Sequence, residues 1–193
     1  YTAVDYAEID KELMLLMMDS NSREYLKNIL LQEYFPESIL QKTNTYYLDS
    51  IAKDILNESG VAYRKKIEKI SESMNDEEYE EEVFLRGSVF KQYIPKIYNH
   101  TCCVTGYRIS SIHNISMIDA CHIIPFSKSY DDTIGNGISL CPNIHRAFDR
   151  GLITIDENYR LLVSKEFEED LGNPFSIRKF ENKKILLPQK SLY

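Results

Sequence analysis

Four side chains in the second half of the chain carry types that do chemistry together: Asp119, His122, Asn136 and His145. An imidazole titrates near neutrality, so a histidine can take a proton from water. A carboxylate and a second imidazole can hold a divalent ion with positions left open for water and substrate. A carboxamide donates and accepts hydrogen bonds at once, which suits it to bracing a loop. These are the needs of phosphodiester hydrolysis, in which water loses a proton as it attacks and charge builds on the phosphoryl and leaving oxygens.

The elements that must position these groups follow from pattern. Residues 115–124 are strand-like and carry His122, residues 131–137 read as a loop, and residues 138–141 as a short strand that Asn136 precedes. Pro142 suits the first position of a helix, where its missing N–H costs nothing. That helix should run to about Asp149, stop at Gly151 and carry His145 one turn in. Apolar runs at 152–155 and 160–163 flank Asp156-Glu157-Asn158-Tyr159, a hairpin pattern, and Thr105-Gly106 marks a tight turn.

Upstream the texture is helical. Leu13, Leu16 and Met17 recur at helical spacing, and Asp19-Ser20-Asn21-Ser22 interrupts as a turn and N-cap. A second helix then carries Leu26, Ile29, Leu30 and Phe35 ahead of Pro36. A third is expected over about 45–58, ending near Gly60, with a charged helical pattern over 61–75 and a solvated acidic linker over 76–82. Residues 84–98 predict another helix, with Val89, Phe90, Tyr93 and Ile97 on one face and a break at Pro95.

With 43% hydrophobic residues in 193, the chain can build a packed core. No apolar run approaches the roughly 18 residues of a membrane span, and the acidic start lacks a secretory pattern. The first residue is Tyr1 rather than Met, so the chain is read as a piece of something longer. The net charge of −7 is unevenly placed: residues 1–85 carry 9 Lys and Arg against 19 Asp and Glu, and residues 86–193 carry 14 against 11. The mildly basic second part permits nucleic-acid binding. Cys102, Cys103, Cys121 and Cys141 include a vicinal pair unsuited to a disulfide, which points to a reducing, cytoplasmic location and to cysteines acting as small buried hydrophobes.

The string Ala120-Cys121-His122-Ile123-Ile124-Pro125, then Asn136-Gly137-Ile138-Ser139-Leu140-Cys141, then His145 with Phe148-Asp149-Arg150-Gly151, resembles the HNH (ββα-metal) endonuclease family. More narrowly it is similar to the branch found among bacterial restriction endonucleases. Phe84-Leu85-Arg86 and Cys102-Cys103-Val104-Thr105-Gly106 resemble the segment preceding the motif there, so the likeness covers about 84–160. Leu30-Leu31-Gln32-Glu33-Tyr34-Phe35 resembles a region linking such modules to a recognition domain.

The resemblance implies an α+β fold, with a ββα-metal nuclease unit and an α-helical N-terminal region. It makes His122 the general base and His145 a metal ligand, with Asn136 tying down the loop and so orienting His122. It implies one divalent ion, Mg²⁺ or Mn²⁺, and cleavage that leaves 5′-phosphate and 3′-hydroxyl ends. Family members often place Asp or His immediately before the base, where this chain has Cys121. Asp119, on the strand face of Cys121 and opposite His122, is taken as the first-strand ligand. Some members hold a structural zinc with two Cys-x-x-Cys pairs, and the matching positions here are Cys102 with Thr105 and Cys141 with Ile144, so no structural zinc is expected.

The expected organisation is a helical linker or dimerisation region over 1–83 and the nuclease domain over 84–193. The expected partners are DNA, a second copy of the chain, and a recognition or sensor domain not present here, in a restriction or antiphage enzyme. Arg108, Lys128, Arg146 and Arg150 are candidate phosphate contacts, weighed against ordinary solvated residues. His100 and His113 are read as ordinary histidines. Asp149 is read as a helix-end residue or the partner of Arg86 or Arg150, and Met14, Met17 and Met18 as a core or partner face. The rival to an enzyme is a nucleic-acid-binding or scaffold module with a decayed site, which the departures at Cys121 and Asp119 favour.

Overall fold

The computed structural model describes residues 9–34, 45–108, 116–170 and 172–189. Phe35, Pro36, His113 and the start of the expected 115–124 strand lie outside the described residues. The chain divides into two compact units, Tyr1–Asn44 and Thr45–Tyr193. No helix among the described residues is long and apolar enough to cross a membrane.

In the first unit, α1 (Lys11–Met18) and α2 (Ser20–Tyr34) are separated by the single residue Asp19. The side chain of Asp10 accepts from the backbone N–H groups of Glu12 and Leu13, and that of Asp19 accepts from Ser22. The expected cap is therefore present, on a shorter break than a four-residue turn. Leu15, Leu16, Met18 and Leu30 of these helices are exposed.

The second unit opens with three helices: α3 (Thr45–Asn57), α4 (Gly60–Ser73) and α5 (Asp76–Ile97). Ser59 caps α4. Gly60 is thus the first residue of a helix and not the end of one, and a Cβ there would lie 2.1 Å from Asp131 Oδ2. The acidic run 76–82 is helical as well: Asn75 and Glu78 form a reciprocal capping box, and Asp76, Glu77 and Glu78 sit in the first turn of α5, where the helix dipole favours negative charge. Pro95 lies inside the last turn, and α5 continues for two residues past it instead of breaking there.

The nuclease-like segment is an antiparallel pair followed by a helix. β1 (Asp119–His122) pairs with β2 (Gly137–Leu140), with His122 opposite Gly137. Between them come the short α6 (Phe126–Ser129) and a 3-10 turn at Ile134–Asn136. α7 (Pro142–Asp149) follows, with Pro142 in its first turn and Gly151 at φ +67° just beyond it. β3 (Ile153–Ile155) and β4 (Leu161–Val163) form the expected hairpin, and Gly106 takes φ +71° in the expected turn.

α5 is the organising element, packed against α3 on one side and against β1 and β2 on the other. The core joins Ile51 and Ile55 of α3, Tyr63 and Ile67 of α4, Val89, Phe90, Ile94 and Ile97 of α5, Ile138 and Leu140 of β2, and Ile144 of α7. Gly137 makes the contact with α5 feasible, because a Cβ there would sit 2.4 Å from Ile94 Cδ1 and 2.9 Å from Phe90 Cε2.

Candidate active site

Residue alternation along β1 sends Asp119 and Cys121 to one face and His122 to the other, and two polar clusters result. On the first face stands His145, on α7. Its Nδ1 lies 3.2 Å from Asp119 Oδ2 and its Nε2 lies 3.3 Å from Asp149 Oδ2. The Asp119 hydrogen bond is the largest influence on His145 and holds its proton above the ordinary histidine value of 6.5, against the opposing effect of burial and with help from the Asp149 charge. Lys91 of α5 is close enough to weaken this by repulsion.

Cys121, His145 and Asp149 offer ligand atoms that all lie within 4.8 Å of one another. Burial, followed by the charges of Asp149 and Asp119, pushes the metal-free Cys121 thiol up to about 12. The donors gathered here are a thiol, an imidazole and the Asp149 carboxylate, with Asp119 on the opposite nitrogen of His145. Asp149 therefore faces His145 and not Arg86, whose carboxylate partners are Glu82 at 2.6 Å and Asp54 at 3.2 Å.

On the other face, the ring of His122 stacks on Phe90 with centroids 4.0 Å apart and planes 4° apart. Its Nε2 lies 2.8 Å from Oδ1 of Asp132, a residue 1% exposed. With the carboxylate ionised its oxygens only accept, so in the neutral form of the ring Nε2 carries the hydrogen and Nδ1 the lone pair. Oδ2 of Asp132 accepts from the Tyr63 hydroxyl at 3.2 Å. Tyr63 is fully buried, and burial first, then the Asp132 charge, raise it far above its usual value, so it remains a donor.

Asn136 is buried and ties the β1–β2 connection together. Its Oδ1 accepts from the Ile124 N–H at 2.8 Å, while Nδ2 donates to the carbonyls of Ile124 and Asp131 and to Ser129 Oγ. The Asn136 carbonyl also accepts from Ile123, which carries the ladder one residue beyond β1. Arg108, Lys128, Arg146 and Arg150 are exposed, Arg146 directly after His145 on α7. The four cysteines are free thiols, and a hydrogen bond from Cys141 draws Cys102 below the ordinary thiol value. Asp132 and Tyr63 had no role in the sequence pattern, and Phe90 only that of an apolar helix face. Asp149 did carry a signal, since it stands four residues after His145 on the same helix face.

Two strands and a helix presenting a histidine from each arm are the ββα-metal arrangement of HNH nucleases. Residues 102–156 match the family described as HNH endonuclease, so this chain carries an HNH endonuclease domain. No curated protein matches the chain. Among solved structures, the Modification dependent TagI restriction endonuclease aligns with a TM-score of 0.36 and 24% identity, over 40% of this chain and 27% of that one.

Proposed function

We propose that the chain is a metal-dependent endonuclease that hydrolyses DNA phosphodiester bonds, with His122 as the general base. The observation that carries this reading is the fixed state of His122: its Nε2 is engaged by Asp132, and Nδ1 makes no hydrogen bond to any described residue. A water beside Nδ1 would give up its proton there as it attacks phosphorus. Asn136 holds the residues that follow His122, which keeps the base in place through the reaction.

His145 would hold one divalent ion, Mg²⁺ or Mn²⁺, together with a carboxylate. Asp119 and Asp149 flank its ring from opposite nitrogens, so an ion bound through one nitrogen takes one of them and the other orients the imidazole. When bound, the ion supplies positive charge against the phosphoryl and leaving oxygens. The exposed Arg108, Lys128, Arg146 and Arg150, and Lys91 beside His145, are the candidate contacts to flanking phosphates.

The resemblance of residues 84–160 to the restriction-type branch supports a place in a restriction or antiphage defence enzyme. One site cuts one strand, so a homodimer is the economical route to a double-strand break, and the exposed apolar residues of α1 and α2 are its candidate face. A recognition or sensor domain outside this chain would supply sequence choice.

The test is nicking of a supercoiled plasmid by the wild type and His122→Ala, with Mg²⁺, Mn²⁺ or EDTA. Metal-dependent cutting by the wild type that falls by at least about 100-fold in the variant supports the reading. Equal cutting by both removes His122 as the base. No cutting, joined with no Mn²⁺ binding, favours a decayed site.

A further inference from the structure

We infer that Asp132, anchored by Tyr63, is a positioning residue for His122, so that helices outside the family-matched segment complete the catalytic site. This deepens the nuclease reading and rests on His122 being its base.

A buried carboxylate is costly unless its oxygens are paired. Asp132 is buried with both oxygens engaged, one by His122 Nε2 at 2.8 Å and one by Tyr63 at 3.2 Å. The first contact selects the tautomer with Nδ1 open. The second stops the carboxylate from turning away. Phe90, stacked on the same ring, fixes its plane. Tautomer, rotation and plane of the base are thus set by three residues, of which only Asp132 lies within residues 102–156.

The surrounding network holds Tyr63 in turn. Arg86 is buried, its guanidinium 5.6 Å from the Tyr63 ring centroid, and it pairs with Glu82 and Asp54. Lys66 pairs with Asp54 and Glu58. A buried ion-pair network is thus packed against the residue that anchors Asp132.

Next to Asp132, Asn136 Nδ2 donates to the Asp131 carbonyl at 2.8 Å, and the Asp131 side chain lies against Gly60 at the start of α4.

The test uses the full chain with Asp132→Asn, Tyr63→Phe and His122→Ala. It reads plasmid nicking as kcat and KM, Mn²⁺ affinity by calorimetry, and the His122 tautomer by ¹⁵N NMR in EDTA. Asp132→Asn keeps the shape but lets an amide N–H face the ring, which favours the wrong tautomer. The expected result is a kcat lower by about 100-fold, KM and Mn²⁺ affinity within about threefold of wild type, and loss of the Nε2–H tautomer. Tyr63→Phe is expected to lower kcat by about threefold to tenfold with the same selectivity for kcat. Wild-type kcat and an unchanged tautomer in Asp132→Asn overturn the inference. Should that variant fail to fold, wild-type kcat and tautomer in Tyr63→Phe overturn it instead. An inactive His122→Ala beside a fully active Asp132→Asn defeats only the positioning role, whereas an active His122→Ala defeats the base assignment itself.

Discussion

His145 sits between two carboxylates, so metal uptake at the proposed site would be a proton exchange. Its folded-state value lies above 6.5, chiefly through the Asp119 hydrogen bond. A raised value means that the protonated pair stabilises the metal-free fold below the unfolded value and that this contribution is lost as pH rises through the folded one. An ion must displace that proton, so Mn²⁺ affinity is expected to rise with pH until the raised His145 value is passed. Calorimetry across that range checks it, and in Asp119→Asn the rise should move to lower pH. The same titration separates the two carboxylates: replacing a ligand should abolish measurable binding, whereas replacing the residue that orients the ring should weaken it by roughly 10–100-fold. A flat pH response would sink the exchange.

What the sequence revealed at this scale was decided by motif. His122, Asn136, His145 and Asp119 stand at informative offsets, and the structure groups them in two clusters on the two faces of β1. Asp132 was invisible for a physical reason. It is one of two adjacent aspartates in a loop without periodicity, and its partner Tyr63 is 69 residues away in the chain. Nothing local distinguishes a buried loop carboxylate from a solvated one.

At the scale of elements, the contact of α5 with the β1–β2 pair controls the site, and Gly137 is its tightest point. Gly137→Ala would drive a methyl group into Ile94 and Phe90, the latter being the surface on which His122 rests. Overpacking of this kind costs about 1–3 kcal/mol. A lower Tm in calorimetry, together with slower nicking at saturating DNA, is expected; an unchanged Tm would show that the helix can shift freely.

The ββα segment and the 153–163 hairpin were legible because their turn residues, proline and glycine agree with the apolar pattern. The acidic run 76–82 was not, since seven residues with six carboxylates carry no apolar stripe. Its helical state comes from the Asn75 cap and from burial of Glu82 against Arg86, contacts that a composition-based reading prices as solvent exposure. Gly60 misled for a related reason. Glycine commonly ends helices, but here it stands at a helix start that the Ser59 side chain caps.

For the whole molecule, the compact unit begins at Thr45, and α3 and α4 contribute Ile51, Ile55, Tyr63 and Ile67 to its core. A chain starting at residue 84 would lose these side chains and the capped start of α5. It is expected to be unfolded by circular dichroism, whereas a chain starting at residue 45 should fold with a cooperative melt. A folded, active fragment from residue 84 would show that the helices are an appendage.

The pairing of Tyr63 with Asp132, and of Phe90 with His122, also has a temporal consequence. Both contacts close long loops, and closure of such loops comes late because its entropy must be met before the contact returns anything. During synthesis, a chain that has emerged only through α5 holds the stacking surface without its histidine, and one that has emerged through β1 holds the histidine without Asp132. The side chains of the candidate site are therefore assembled only after Asp149 of α7 has left the ribosome, and a chain cut short before that point lacks part of them.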